Sequence, residues 1–301
     1  MTDRSLPPAA LAPRELDDTS DDRARITLPK GLFLDLPGRG STFVRHIVGP
    51  PNAPTVLLLH GWTATADLNW FTSYEMLSER YSVLALDHHG HGRGLRNGEP
   101  FRLADCADDA VAVLDAFDVE QAIVVGYSMG GPITQLLWRR HPGRTRGLVL
   151  CATAATFNTT SREKALFTAV GSIAAAARIT PKPLRELTGL RILTGRADRD
   201  LRQWAYSEIA RHDWLRIIQA GREIGRFDSR RWIRSLDVPA STIVTTADEI
   251  ILPRRQLALA GMLPDVEIFE VHGPHSSCIS EASHFTASLC AALTSVEART
   301  S

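Results

Sequence analysis

An α/β architecture, a mostly parallel sheet flanked by helices with a helical cap inserted between two core strands, is what this sequence predicts from three observations. Short apolar runs alternate with helix-period segments through its first half. The alternation stops near Thr153 and resumes after Leu236, and the stretch between them reads as helical with no convincing strand. One serine is fenced by glycines in VVGYSMGG, residues 124–131, where an apolar run gives way to a helical pattern.

The elements follow in chain order. Residues 1–25 lack the positive start and long apolar core of a secretory signal and read as a flexible, solvated tail. GLFLDL at 31–36 is expected to pair antiparallel with TFVRHIV at 42–48. Further strands are TVLLLH at 55–60, SVLALD at 82–87, AIVVGY at 122–127, GLVLCA at 147–152, STIVTT at 241–246 and VEIFEV at 266–271. Helices are expected near 72–80, 104–117, 130–141, 254–262 and 280–295. The domain reading is a core over 26–152 and 237–301 with a helical cap over 153–236, rich in Ala, Leu and Arg and broken by Pro181 and Pro183. Its most apolar run, LFTAVGSIAAAARI at 166–179, is shorter than the ~20 residues of a membrane span and reads as a buried helix, so no integral membrane association is expected.

Composition narrows the function. With 301 residues, 44% of them hydrophobic, the chain can bury a large core. Lys plus Arg equals Asp plus Glu at 34 each, which leaves no global field to draw nucleic acid or an anionic membrane. The four cysteines, Cys106, Cys151, Cys278 and Cys290, have no CxxC spacing and fit reduced thiols in a cytoplasmic protein. Nothing in the pattern specifies an oligomeric state.

Gly126-Tyr127-Ser128-Met129-Gly130 ending a strand and starting a helix has the form of a nucleophile elbow. The serine occupies a strained turn, and glycine at 126 and 130 removes side chains that would meet neighbouring backbone. The Met129 amide then points from the helix start toward any oxyanion forming there. A serine nucleophile needs a base, and the base needs an orienting carboxylate. Asp248, on the loop after STIVTT, is the favoured acid, with Glu249 its neighbour and rival; the loop after GLVLCA carries no acid. HGPHSSCIS after the last strand offers His275, favoured because Gly273-Pro274 shapes a loop that leans over the serine, and His272, which could instead cap the strand.

Other polar residues have plainer readings. His88, His89 and His91 crowd a glycine-rich turn, but no companion Cys or Asp has metal-ligand spacing, so no metal is expected. His60 reads as a loop-bracing hydrogen-bond partner and Asp87 as a cap for turn amides. Trp62 and Trp70 line a pocket or cap the core, and the runs RADRDLRQW and GREIGRFDSRRW read as solvated faces and ion pairs.

In chain order, LLLHGW, LALDHHGHGRG, VVGYSMGG, TTADEIILP and the HGPH region resemble the motifs of the α/β-hydrolase superfamily, in the branch with a helical cap between two core strands. The resemblance covers roughly 30–152 and 237–295 and implies the triad order Ser, Asp, His, in agreement with the residue reading. It also implies that the amide of Trp62, after His60-Gly61, is the second oxyanion donor. Two departures stand out: Pro274 precedes His275 where glycine is usual, which keeps His272 open, and Gly94 takes a serine's place in the turn after LALD. The expected function is a serine hydrolase that cleaves a carboxylic ester or thioester of a small-to-medium apolar acyl substrate through an acyl-enzyme, without cofactor or metal. Phe157, Leu166, Phe167, Ile173, Ile179 and Leu184 suggest an apolar cavity. Carbon-carbon bond hydrolase, lyase and acyltransferase chemistries share the scaffold, and a non-catalytic ligand-binding homologue is the remaining alternative.

Overall fold

The computed structural model describes residues 14–16, 20–21, 26–158 and 199–300. The expected helix at 166–179, Pro181 and Pro183, and the apolar cap residues Leu166, Phe167, Ile173, Ile179 and Leu184 lie outside the described residues. The strands are β1 Arg14–Leu16, β2 Ser20–Asp21, β3 Ile26–Thr27, β4 Gly31–Leu36, β5 Gly40–Ile47, β6 Thr55–Leu59, β7 Ser82–Leu86, β8 Ala122–Tyr127, β9 Thr145–Cys151, β10 Ala240–Thr245 and β11 Val266–Val271. The helices are α1 Ala66–Trp70, α2 Tyr74–Ser78, α3 Leu103–Ala116, α4 Gly130–Arg140, α5 Arg199–Ala210, α6 Trp214–Arg226, α7 Pro253–Ala260, α8 Ser277–Ser280 and α9 Ala282–Ala298.

Among the described residues, nine strands form one sheet in the order β1, β4, β5, β7, β6, β8, β9, β10, β11. From β7 to β11 all pairings are parallel. β4 and β5 pair antiparallel, as expected, and β5 joins β7 antiparallel. Each expected strand lies within two residues of its observed bounds. The stretch read as a solvated tail differs: Arg14–Leu16 adds an edge strand antiparallel to β4, and β2 pairs with β3. Strands of two or three residues in a charged, proline-bearing stretch carry too little periodicity to be read from sequence.

The parallel strands are apolar on both faces because helices cover both. On one face Leu57, Leu84, Val124 and Leu148 pack with Ala110, Leu114, Ile133 and Leu137 of α3 and α4. On the other Val56, Val83, Ile123 and Val149 pack with Trp70, Leu77, Phe285 and Leu293. Each such buried aliphatic or aromatic side chain is worth about 1.5–3 kcal/mol. From β6 the chain moves first to β7 on one side and then to β8 on the other. This reversal opens a crevice at the carboxyl ends of β6 and β8, where the loops after both strands meet.

The chain between β9 and β10 supplies α5 and α6. Its neck is clasped by an antiparallel bridge between Thr156 and Asp228 and by the Ser229 amide donating to the Ala155 carbonyl at 2.8 Å. Asp213 caps α6, accepting from the amides of Leu215 (3.0 Å) and Arg216 (3.4 Å). The apolar stripe Ile217, Ala220 and Ile224 is buried, and Ala220 and Ile224 join the same cluster as Phe157 and Phe227.

Candidate active site

Ser128 follows directly after β8 in a left-handed conformation, φ +52°. A non-glycine residue there is strained, at a cost of order 1–3 kcal/mol that the surroundings must offset. The turn is held from both sides: the Ser128 amide donates to the Cys151 carbonyl (2.9 Å), and Thr153 Oγ1 donates to the Ser128 carbonyl (2.8 Å). A Cβ at Gly126 would overlap the carbonyl of Gly130, and one at Gly130 would overlap the carbonyl of Leu59. Both glycines are therefore conditions of the turn.

Three residues singled out in the sequence form one hydrogen-bonded chain. His275 Nε2 lies 2.9 Å from Ser128 Oγ, and His275 Nδ1 lies 2.7 Å from Asp248 Oδ2. Asp248 is buried and accepts four further bonds. The amides of Ile250 and Ile251 donate to Oδ1 at 2.8 Å each. Thr245 Oγ1 (2.8 Å) and Gln256 Nε2 (3.2 Å) donate to Oδ2. Burial alone would raise this carboxyl, but the bonds from His275, Ile251 and Thr245 outweigh it and hold it below the usual carboxylate range. An acceptor-only Asp248 requires the proton on His275 Nδ1, which leaves Nε2 free to accept from the serine hydroxyl. The two rivals lie apart: Glu249 is exposed, and exposed His272 pairs through Nδ1 with Thr246 Oγ1 at 3.0 Å.

The loop carrying His275 is tied to the turn it serves. Tyr127, beside the serine, donates its hydroxyl to the His275 carbonyl at 2.7 Å and sets its ring edge-on to the imidazole. Residue reading missed Tyr127 because the elbow pattern leaves that position open.

The HGW loop after β6 faces Ser128, since a Cβ on Gly61 would come within 3.4 Å of the serine Cβ. His60 is buried, accepts the His88 amide on Nε2 (3.0 Å) and so donates from Nδ1 to the Gly61 carbonyl (2.8 Å). Burial keeps it neutral by lowering its pKa. The Gly61 carbonyl also accepts the Ala64 amide at 3.3 Å, and the Gly61 amide donates to Asn69 Oδ1 at 2.9 Å. In a trans peptide the carbonyl and the next N–H point in opposite directions, so fixing the Gly61 oxygen fixes the Trp62 N–H. His60 is thus the brace its position suggested. Thr63, next in the loop, is at φ +60°, costly for a β-branched residue. Trp70 is fully buried against Tyr127 and Phe285 and belongs to the core, whereas Trp62 reaches α6.

Behind the loop lies a buried ionic cluster. Arg45 grips Asp67 with two bonds, 2.9 and 2.8 Å, and Arg93 bonds Asp67 and, at 3.1 Å, Glu208 of α5. Burial raises Asp67, but the two guanidiniums outweigh it and hold the carboxyl low; burial pushes Glu208 up to about 7. Asp87 takes the Ala66 and Arg93 amides at 2.7 and 2.8 Å, the turn-capping role read from its position. In the run GREIGRFDSRRW the charges are solvated and paired as read, Arg226 with Glu223 at 3.6 Å and Arg230 with Asp228 at 2.6 Å, and Ser229 is buried among them; Glu208 and Arg216, between the two charged runs, are buried. A Cβ on Gly94 would overlap the Asp87 and His88 carbonyls, so this turn excludes the serine usual there. His88, His89 and His91 are buried, with pKa values lowered by burial, and among the described residues no group of three His, Cys, Asp or Glu side chains is arranged to hold a metal ion.

The parallel sheet, the crevice between β6 and β8, and the strained serine turn at its mouth define the α/β-hydrolase fold, and this chain has it. A sequence model described as the alpha/beta hydrolase fold matches residues 54–176. Epoxide hydrolase B of Mycobacterium tuberculosis is 33% identical over 119 residues, 37% of this chain and 32% of that protein. The bifunctional esterase/perhydrolase of Acinetobacter calcoaceticus is 34% identical over 95 residues, 31% of this chain and 34% of that protein. The chain thus matches about a third of the length of these relatives. The crystal structure of a hydrolase from Pseudomonas aeruginosa superposes with a TM-score of 0.75 at 19% identity, over 87% of this chain and 97% of that one. Among the described residues no helix is long and apolar enough to cross a membrane.

Proposed function

We propose that the protein is a serine hydrolase that cleaves a carboxylic ester or thioester of a small-to-medium apolar acyl substrate. The observation that carries this reading is the unbroken chain Ser128 Oγ, His275, Asp248, at 2.9 and 2.7 Å, beginning on a serine at φ +52°. Ser128 attacks the carbonyl carbon while His275 Nε2 takes its proton, and Asp248 holds the imidazole by Nδ1 and stabilises its cation. The amides of Trp62 and Met129 donate hydrogen bonds to the tetrahedral oxyanion, and the imidazolium protonates the leaving group. Water activated by the same histidine then releases the acid from the acyl-enzyme. The segment 153–236 acts as the cap over this site.

Ester chemistry is supported by the partial match to an esterase/perhydrolase. The match to an epoxide hydrolase carries less weight, because opening an epoxide through an alkyl-enzyme requires a carboxylate where this chain has Ser128. Intact-mass analysis and peptide mapping after a fluorophosphonate probe test the reading. One adduct per chain on Ser128, absent in Ser128→Ala, is expected, together with turnover of p-nitrophenyl esters. Folded wild-type protein that takes no adduct and turns over no ester would sink the hydrolase and leave a ligand-binding homologue.

A further inference from the structure

The oxyanion loop is held by the inserted segment at three of four successive positions. Trp62 donates its indole Nε1–H to the Ile217 carbonyl of α6 at 2.8 Å. The Thr63 carbonyl lies 3.0 Å from His212 Nε2. Thr65 Oγ1 donates to Glu208 Oε2 at 3.1 Å. His212 has no freedom in its tautomer: Nδ1 accepts the Gly92 amide at 2.8 Å, so the proton sits on Nε2 and is donated to Thr63. The residue is buried between the loop after β6 and the turn after β7, and it bridges the two. The same turn is sewn to the insert by the Asp213 amide on the Gly90 carbonyl, 2.8 Å, and by Arg96 on the Arg211 carbonyl, 2.8 Å.

We infer that His212, carried by the insert, is a positioning residue for the oxyanion hole: with the Trp62 anchor on Ile217 it holds the strained Trp62-Thr63 turn so that the Trp62 amide faces Ser128. This rests on the hydrolase reading above. Thr63 stands at φ +60°, a conformation an unrestrained loop leaves, and its carbonyl has His212 as the partner that fixes it. The Gly61 side of the Trp62 peptide is braced from the core by His60 and Asn69; on the Thr63 side the Ala64 amide closes the turn on the Gly61 carbonyl, and the insert adds the bonds from His212 and to Ile217. The part of the insert near the site therefore works as one wall of the catalytic machinery. Substrate access must be arranged without unseating residues 208–217.

The test compares wild type with His212→Phe, which keeps a ring and loses both bonds, and Trp62→Phe, which loses the indole donor alone. The readouts are the rate of Ser128 phosphonylation, kcat and KM for p-nitrophenyl acetate, and Tm. Since removing one oxyanion donor costs on the order of 100-fold or more in kcat, misplacing it is expected to slow kcat and phosphonylation at least ~10-fold in both variants. KM should stay within about twofold, because the amide acts on the tetrahedral state and not on the bound ester. Folded variants that label and turn over at wild-type rates, or that lose only Tm, would overturn the inference while leaving the hydrolase reading intact. Should His212→Phe fail to fold, Trp62→Phe decides by the same split. A wild type that takes no label defeats the hydrolase reading itself, and this inference with it.

Discussion

Asp248 and Glu249 are adjacent in sequence and opposite in consequence. Asp248 is buried beneath His275 with every lone pair engaged, and Glu249 faces solvent. Asp248→Asn is expected to lower kcat by up to about 10⁴-fold by favouring the wrong imidazole tautomer, while Glu249→Gln stays within about twofold of wild type. Steady-state kinetics of the pair against one p-nitrophenyl ester check this. Falls of similar size in both variants would reassign the acid. That Ser128, Asp248 and His275 would be brought together was legible because each follows a strand in a loop of recognisable composition. Tyr127, Asn69 and His212 were not, since their work depends on partners 148, 8 and 149 positions away with no local signature.

Elements whose apolar pattern runs five residues or more were readable, and those shorter or built on charge were not. α1 has five residues and is defined by its Thr65 cap, whose Oγ1 accepts the Leu68 amide at 3.1 Å. Its Asp67, polar in an apolar surrounding, is the centre of a buried cluster that joins β5, α1, the turn after β7 and α5. Nothing in the sequence pairs Arg45 with a residue 22 positions away. Asp67→Ala would leave Arg45 and Arg93 buried and facing one another, and is expected to destabilise the protein by about 3–5 kcal/mol. Urea melts measure it. A loss below ~1 kcal/mol would mean that water or Glu208 replaces the carboxylate. The reading of RADRDLRQW and GREIGRFDSRRW as solvated faces and ion pairs fits exposed Arg202, Arg222, Arg226 and Arg230, whereas Glu208 and Arg216, which lie between those runs, are buried against partners that no local pattern announces.

For the molecule as a whole, five histidines, His60, His88, His89, His91 and His212, are buried and kept neutral around one crevice. Burial lowers each below the ordinary imidazole value of 6.5, to about 4 in His89 and His212. Once unfolded they bind protons that the folded state refuses. Their contribution is therefore complete above pH 6.5 and is lost as pH falls toward 4, at up to about 1.4 kcal/mol per pH unit for each. Glu208 and Asp109 act with the opposite sign, since a carboxyl raised by burial, to about 7 in Glu208, is relieved by acidification, but they are two groups against five. Tm is expected to drop steeply between pH 6.5 and 4, and a flat profile across that range would show that the histidines charge without unfolding. The clasp between Thr156 and Asp228 has a different consequence. A loop closed at its neck costs the host little more when it grows, because closure entropy rises only with the logarithm of length. To the sheet, then, the length of the excursion is only a weak constraint. The hydrogen bonds to Trp62 and Thr63 limit that freedom: a transplanted module without counterparts to His212 and Ile217 would ride on a well-formed scaffold and leave its chemistry mute.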